Sequence, residues 1–224
     1  MRSAEPTYVS GRGLSIAIAV LVMLQIALLV LATTAWALAT IAVGGDVTGV
    51  IAAFGSATLL DVVAALLFVA ATVVFLTWVH RAVANLPALG STRARFSPAD
   101  AVWSFFVPGL NLVRGHQVMA TIWQESQPPV GDAPRRANLV HGWWTMGLVY
   151  LFTLAVHAMA SSSRVGVEEL HAISARQIVL HLLRIATAVP FLLVVRGAQS
   201  RQDEQWLDVE RRRNVPQPTA DALR

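Results

Sequence analysis

Four stretches of the chain are built almost wholly of apolar residues, at positions 14–43, 56–79, 138–160 and 176–196. Each is long enough to cross a bilayer's hydrocarbon core, which takes about 20 apolar residues in a helix. The pattern predicts an all-α fold, an integral membrane four-helix bundle. The first run is about twice the length of a signal-peptide core, so it reads as an uncleaved span. Pro190 falls inside the fourth and is expected to bend it, because it cannot donate to the carbonyl of Ala186. The expected organisation is a single membrane domain over residues 1–213, followed by a disordered tail at 214–224 that contains proline.

Between the second and third spans the pattern changes. Residues 101–113 are apolar but too few to cross a bilayer, and Pro108 and Gly109 break them. Ser97, Pro98 and Asp100 read as a helix start: a cap, a residue whose missing N–H is harmless, and an acid at the positive end of the dipole. Asn111 is placed to cap a second helix, with Leu112, Met119, Ile122 and Trp123 on one face. Residues 97–125 are therefore expected to form interfacial amphipathic or re-entrant helices, a platform carrying Trp103, Phe105, Phe106, Arg114 and Trp123.

The residues around this platform carry a resemblance. Asn85 to Gly90 (NLPALG), Arg95 to Pro98 (RFSP), Trp103, Phe106 to Pro108, Asn111 with Leu112, Gln117 to Met119, and Ile122 with Trp123 are similar to the signature of a bacterial membrane family, domain of unknown function 4328. The chain departs from that pattern at Gly115-His116, where the family tends to have Pro-Tyr, and at Ala120-Thr121, where a charged pair often follows. The resemblance implies a multi-pass membrane protein with no assigned activity, and it offers no catalytic residues to carry over.

Composition strengthens the membrane reading: 55% of the 224 residues are hydrophobic and 13% charged, against about 25% charged in a typical soluble domain. The chain has no cysteine, which excludes disulfides, thiol nucleophiles and thiolate-bound zinc. All 17 basic residues are arginine. Four spans put the N-terminal segment, the central segment and the C-terminal segment on one side, with fourteen of those arginines. The opposite side carries two, Arg164 and Arg176, and Arg184 lies within a span. That asymmetry places both termini in the cytoplasm, with the plasma (inner) membrane as the expected location. Basic residues flanking spans serve topology, so the net charge of +4 does not indicate a nucleic-acid partner. The expected partners are the lipid bilayer, anionic headgroups near the basic loops, and other membrane proteins.

The polar residues inside the spans are the sharpest chemical signal. Asp61 sits in the second span on a face with Ala57, Ala64, Ala65, Phe68 and Thr72, and the fourth span carries Gln177, His181, Arg184 and Ala188 as one stripe. Counted from the span edges, Asp61 lies about 8 Å deep and Arg184 about 12 Å, with His157 of the third span at a similar level. Asp61, His157, His181 and Arg184 form either a polar pocket or a structural ion pair between Asp61 and Arg184. The remaining histidines show no ligand spacing, so no metal is expected. Neither a phosphate-binding loop nor a serine with a base beside it is present, so no cofactor or catalytic residue is assigned. The leading expectation is a non-catalytic scaffold or regulator at the inner face of a bacterial plasma membrane. The alternative is a small transporter or channel component using the Asp/His/Arg cluster.

Overall fold

The computed structural model describes residues 7–91, 95–107, 109–126, 137–160 and 166–214. The expected disordered tail at 214–224 lies outside the described residues from position 215 onward. Six helices follow one another: α1 (Arg12–Ala42), α2 (Val47–Asn85), α3 (Pro98–Trp103), α4 (Asn111–Glu125), α5 (Asn138–Ala160) and α6 (Val167–Asn214). Among the described residues there is no strand, and α1, α2, α5 and α6 are long and apolar enough to cross a membrane. The protein is an all-α helical bundle and a membrane protein.

α1 and α2 form an antiparallel pair whose seam is written in sevens. The buried residues of α1 are Ser15, Ile18, Val22, Gln25, Leu29, Ala32, Trp36 and Ala39, alternating steps of three and four. That is the 3.5-residue repeat of left-handed helix pairs. α2 answers with buried Ala57, Ala64, Ala71 and Trp78 at seven-residue steps. Alanine lets the two backbones approach closely, and Gln25 Nε2 reaches across to the carbonyl of Ala64 at 3.0 Å. The buried face of α2 is thus narrower than expected, since Ala65 and Phe68 point outward. A heptad seam selects fewer residues than a broad amphipathic face.

α2 begins at Val47 rather than at the edge of its apolar run, because Asp46 caps it, accepting from the N–H of Gly49 at 3.3 Å. Gly44, at φ +100°, makes the reversal from α1 in a backbone region that side chains disfavour. α6 likewise starts early, at Val167, and runs unbroken past Pro190 to Asn214. At 1.5 Å per residue its 48 residues span about 72 Å, far more than a bilayer core of roughly 30 Å. In lateral order α1 lies between α2 and α6, and α5 packs on the other side of α6.

α3 and α4 are short helices joined through Gly109, at φ +79°, and neither is a span. Ser97 caps α3 by accepting from Asp100 N–H at 3.1 Å, with Pro98 in the first turn. Asn111 does not cap α4; it is the first helical residue, and Leu110 holds the cap position without a side-chain bond. The buried face of α4 is Gly115, Val118, Met119, Ile122 and Trp123. Leu112 is exposed, because Gly115 turns that face toward the rings of Trp144 and Phe105. The main core lies at the end of the bundle that holds both termini, where Trp78, Val79, Val118, Met119, Ile122, Val194 and Val195 are buried together.

Candidate functional site

The intramembrane cluster forms where α1, α2 and α6 meet. Asp61 of α2 and His181 of α6 lie at the same level, each fourteen residues past its helix start at Val47 and Val167. His181 Nε2 stands 2.9 Å from Asp61 Oδ1, which has no aligned hydrogen bond, so the contact is electrostatic. Asp61 Oδ2 accepts from Trp36 Nε1 at 2.9 Å and from Gln177 Nε2 at 3.3 Å. On the far side of the ring, Thr33 Oγ1 is 3.3 Å from His181 Nδ1. The Thr33 hydroxyl donates to the carbonyl of Leu29 at 2.7 Å, which leaves its oxygen to accept from Nδ1–H.

Among the described residues Arg184 makes no contact-distance ion pair with Asp61, although the two lie near enough to attract. Its guanidinium lies over the ring of Phe68, 4.8 Å from the centroid, one turn deeper along α6. His157 is also elsewhere: it lines a cleft between α5 and α6 with Thr153, Val156 and Arg176. Of the four intramembrane candidates the structure thus brings Asp61 and His181 into contact, and joins to them Trp36, Gln177 and Thr33, of which only Gln177 shared a predicted stripe.

A second polar cluster, carried by residues the sequence did not single out, ties the terminal end together. Gln202 is fully buried, and its Nε2 donates at 3.1 Å to both the carbonyl of Ala82 and the hydroxyl of Ser126. Asn85 exchanges two hydrogen bonds with the backbone of Val9, at 3.1 and 2.9 Å. Gln199 Oε1 accepts from Trp78 Nε1 at 3.0 Å, while its Nε2 donates to Asp203 at 3.0 Å. Tyr8 donates to Asp203 at 2.6 Å and stacks on Trp206 with centroids 5.3 Å apart. Burial first, and then the bond to Asp203, raises the Tyr8 hydroxyl far above its ordinary pKa, so it keeps its proton. The N-terminal segment, α2, α4 and the end of α6 are thereby one polar joint.

The platform residues separate into two groups. Phe105 is wedged edge-on against Phe75, with centroids 5.5 Å apart, and Trp123 is buried beneath Arg201, whose Cζ lies 3.8 Å from its ring. Trp103 and Phe106 pair with one another at 5.6 Å and stay exposed, as does Arg114. Behind the platform, His116 of α4 and His141 of α5 bring ring nitrogens within 2.7 Å. Burial, and then the nearness of His141, holds His116 below its usual pKa. Their separation of 25 positions gives no ligand or pairing pattern in the sequence. Trp144 Nε1 fixes the same joint by donating to the Leu112 carbonyl at 2.9 Å.

A family model described as domain of unknown function (DUF4328) matches residues 46–200, from the cap of α2 to the polar joint on α6. No curated protein and no solved structure matches the chain.

Proposed function

We propose, on the premise that the chain belongs to the DUF4328 family, that it is a non-catalytic scaffold or regulator. On this reading it holds partners at the inner face of a bacterial plasma membrane, with both termini in the cytoplasm. The observation that carries it is the buried joint of Gln202, Ala82 and Ser126. A polar network with its groups satisfied favours one arrangement of the elements it joins, and that suits a rigid presenting surface. What it presents is α4 and the last turns of α6, where Arg211, Arg212 and Arg213 are exposed. The expected fourteen-to-two arginine asymmetry supports the orientation.

The test is crosslinking in intact membranes, followed by identification of what is held. A defined partner recovered with the full chain, and lost when α6 ends at Ala198, supports scaffolding. Recovery of the same proteins with both chains, or of none, overturns it.

One observation favours a second reading, a transporter or channel component. The Asp61 carboxylate keeps about a fifth of its surface open beside His181, inside a candidate membrane span. Flux of protons or small ions in vesicles, abolished by Asp61→Asn, would select this reading over the first.

A further inference from the structure

Residues 8–10 lie in no helix, and a face built from two helices holds them. Arg81 and Asn85 stand one turn apart on α2, and Gln199, Asp203 and Trp206 share one stripe of α6. We propose that this face is a peptide acceptor, occupied in cis by the chain's own segment. A partner enters it by offering the same chemistry: a tyrosine, any residue but proline, then a serine or threonine. The inference rests on the scaffold reading and names the kind of partner that reading requires.

The seated segment shows what the face reads at each position. Asn85 accepts from the N–H of Val9 at 3.1 Å and donates to its carbonyl at 2.9 Å, so the middle residue is held by its backbone. A residue whose N–H and C=O are both bonded from one side is what a strand offers its neighbour. The Val9 side chain is 51% exposed, and its identity goes unread. Tyr8 lays its ring on Trp206 and donates its hydroxyl to Asp203 Oδ1 at 2.6 Å. Ser10 Oγ donates to the same oxygen at 3.0 Å, and Arg81 Nη1 donates to the Ser10 carbonyl at 3.4 Å. One carboxylate oxygen thus selects for two hydroxyls, two positions apart.

The acid also sets what is refused. A carboxylate accepts from a neutral hydroxyl and repels an anion, so phosphotyrosine or glutamate at the first position is excluded. Phenylalanine there would stack on Trp206 but leave Asp203 without that donor. Among the described residues, α2 and α6 hold the segment through side chains and not through backbone groups, so its departure leaves both helices hydrogen-bonded.

The test is binding of a capped synthetic peptide of residues 7–11 (TYVSG) to the full chain in detergent micelles, titrated by saturation-transfer NMR. In the wild type the tethered segment competes, whereas Tyr8→Ala removes its anchor. We expect the variant to bind the peptide about tenfold more tightly or better, and Tyr8→Phe, which keeps the ring, to show a smaller gain. Against the Tyr8→Ala chain, phenylalanine in place of the peptide's tyrosine is expected to weaken binding about tenfold. Alanine in place of its valine should change nothing, and N-methylation of that valine should abolish binding. Circular dichroism checks that the variants keep their helices. Equal binding by wild type and Tyr8→Ala, binding by neither, or binding that survives N-methylation overturns the acceptor. Phosphotyrosine or phenylalanine peptides bound as tightly as the parent overturn the stated chemistry. Partners recovered by crosslinking while this face stays silent would sink this inference and spare the scaffold.

Discussion

His181 Nε2 and Asp61 Oδ1 face each other at 2.9 Å between α6 and α2, and Asp61 Oδ2 is at the same time the acceptor for Trp36 and Gln177. Asp61→Ala would strip Trp36 and Gln177 of their acceptor and remove the carboxylate that faces the imidazole. Orphaning buried donors costs about 1–3 kcal/mol. Asp61→Asn, which keeps one acceptor oxygen, is expected to cost less than Asp61→Ala. Thermal unfolding in detergent micelles ranks the two variants, and the reverse order would refute the pairing.

Gln202 is the keystone of the terminal joint. Gln202→Leu is similar in size but leaves the Ala82 carbonyl and the Ser126 hydroxyl without their donor. The expected loss is about 1–3 kcal/mol. Hydrogen exchange should speed up in α4 and in residues 7–10 together, because one joint holds both. Faster exchange in α4 alone would mean the two are independent.

At Gly115 an added Cβ would lie 2.8 Å from Trp144 Cη2 and 3.1 Å from Phe105 Cε1. Trp144 is held by its bond to Leu112, so the ring cannot simply withdraw. Gly115→Ala is expected to loosen α4 from α5, with an overpacking cost of about 1–3 kcal/mol. Tryptophan emission unchanged from wild type would show that the joint tolerates the methyl group.

The His116–His141 pair makes the seat of α4 sensitive to pH. His116 titrates below its ordinary value of 6.5 in the folded chain, so the unfolded chain binds more protons as pH falls past 6.5. The contribution is therefore present above about pH 6.5 and is lost as pH drops toward the lower folded value. The protection of the α4 amides relative to their intrinsic exchange rates should fall between pH 7 and pH 5, and His116→Gln should flatten that fall. Arg114 near it on α4 is exposed.

The alanine seam gives a packing test. Ala64 is fully buried where Gln25 crosses to its carbonyl. Ala64→Leu is expected to force α1 and α2 apart at a cost of about 1–3 kcal/mol, whereas Val63→Leu, one position away and exposed, is expected to be silent. Comparing the melting temperatures of the two variants checks the register.

Much of this was written plainly in the chain. Long apolar runs named the four spans, and Ser97 with Pro98 named the start of α3, because both signals are local. His181 and Arg184 stood on one predicted stripe of the fourth span. Charge favoured Arg184 as the partner of Asp61, but Phe68 offers that guanidinium a ring one turn deeper. The 3–4 spacing of α1 was legible only in part, since Ser15, Gln25 and Ala32 do not stand out among apolar neighbours that all read as lipid-facing. The terminal joint could not be read at all. Asn85, Gln199 and Gln202 have no period, and their partners lie 76 to 121 positions away. Nor could Asp46 be seen extending α2, because Gly49 and Gly55 interrupt the apolar residues that follow it.

α6 is one uninterrupted rod from Val167 to Asn214. Glu169 near one tip and the arginines at the other therefore share one helix, with no loop between them to absorb a tilt. A tilt imposed at one tip is expected to reach the other, and Pro190, lacking its N–H, is the section where that helix is easiest to flex.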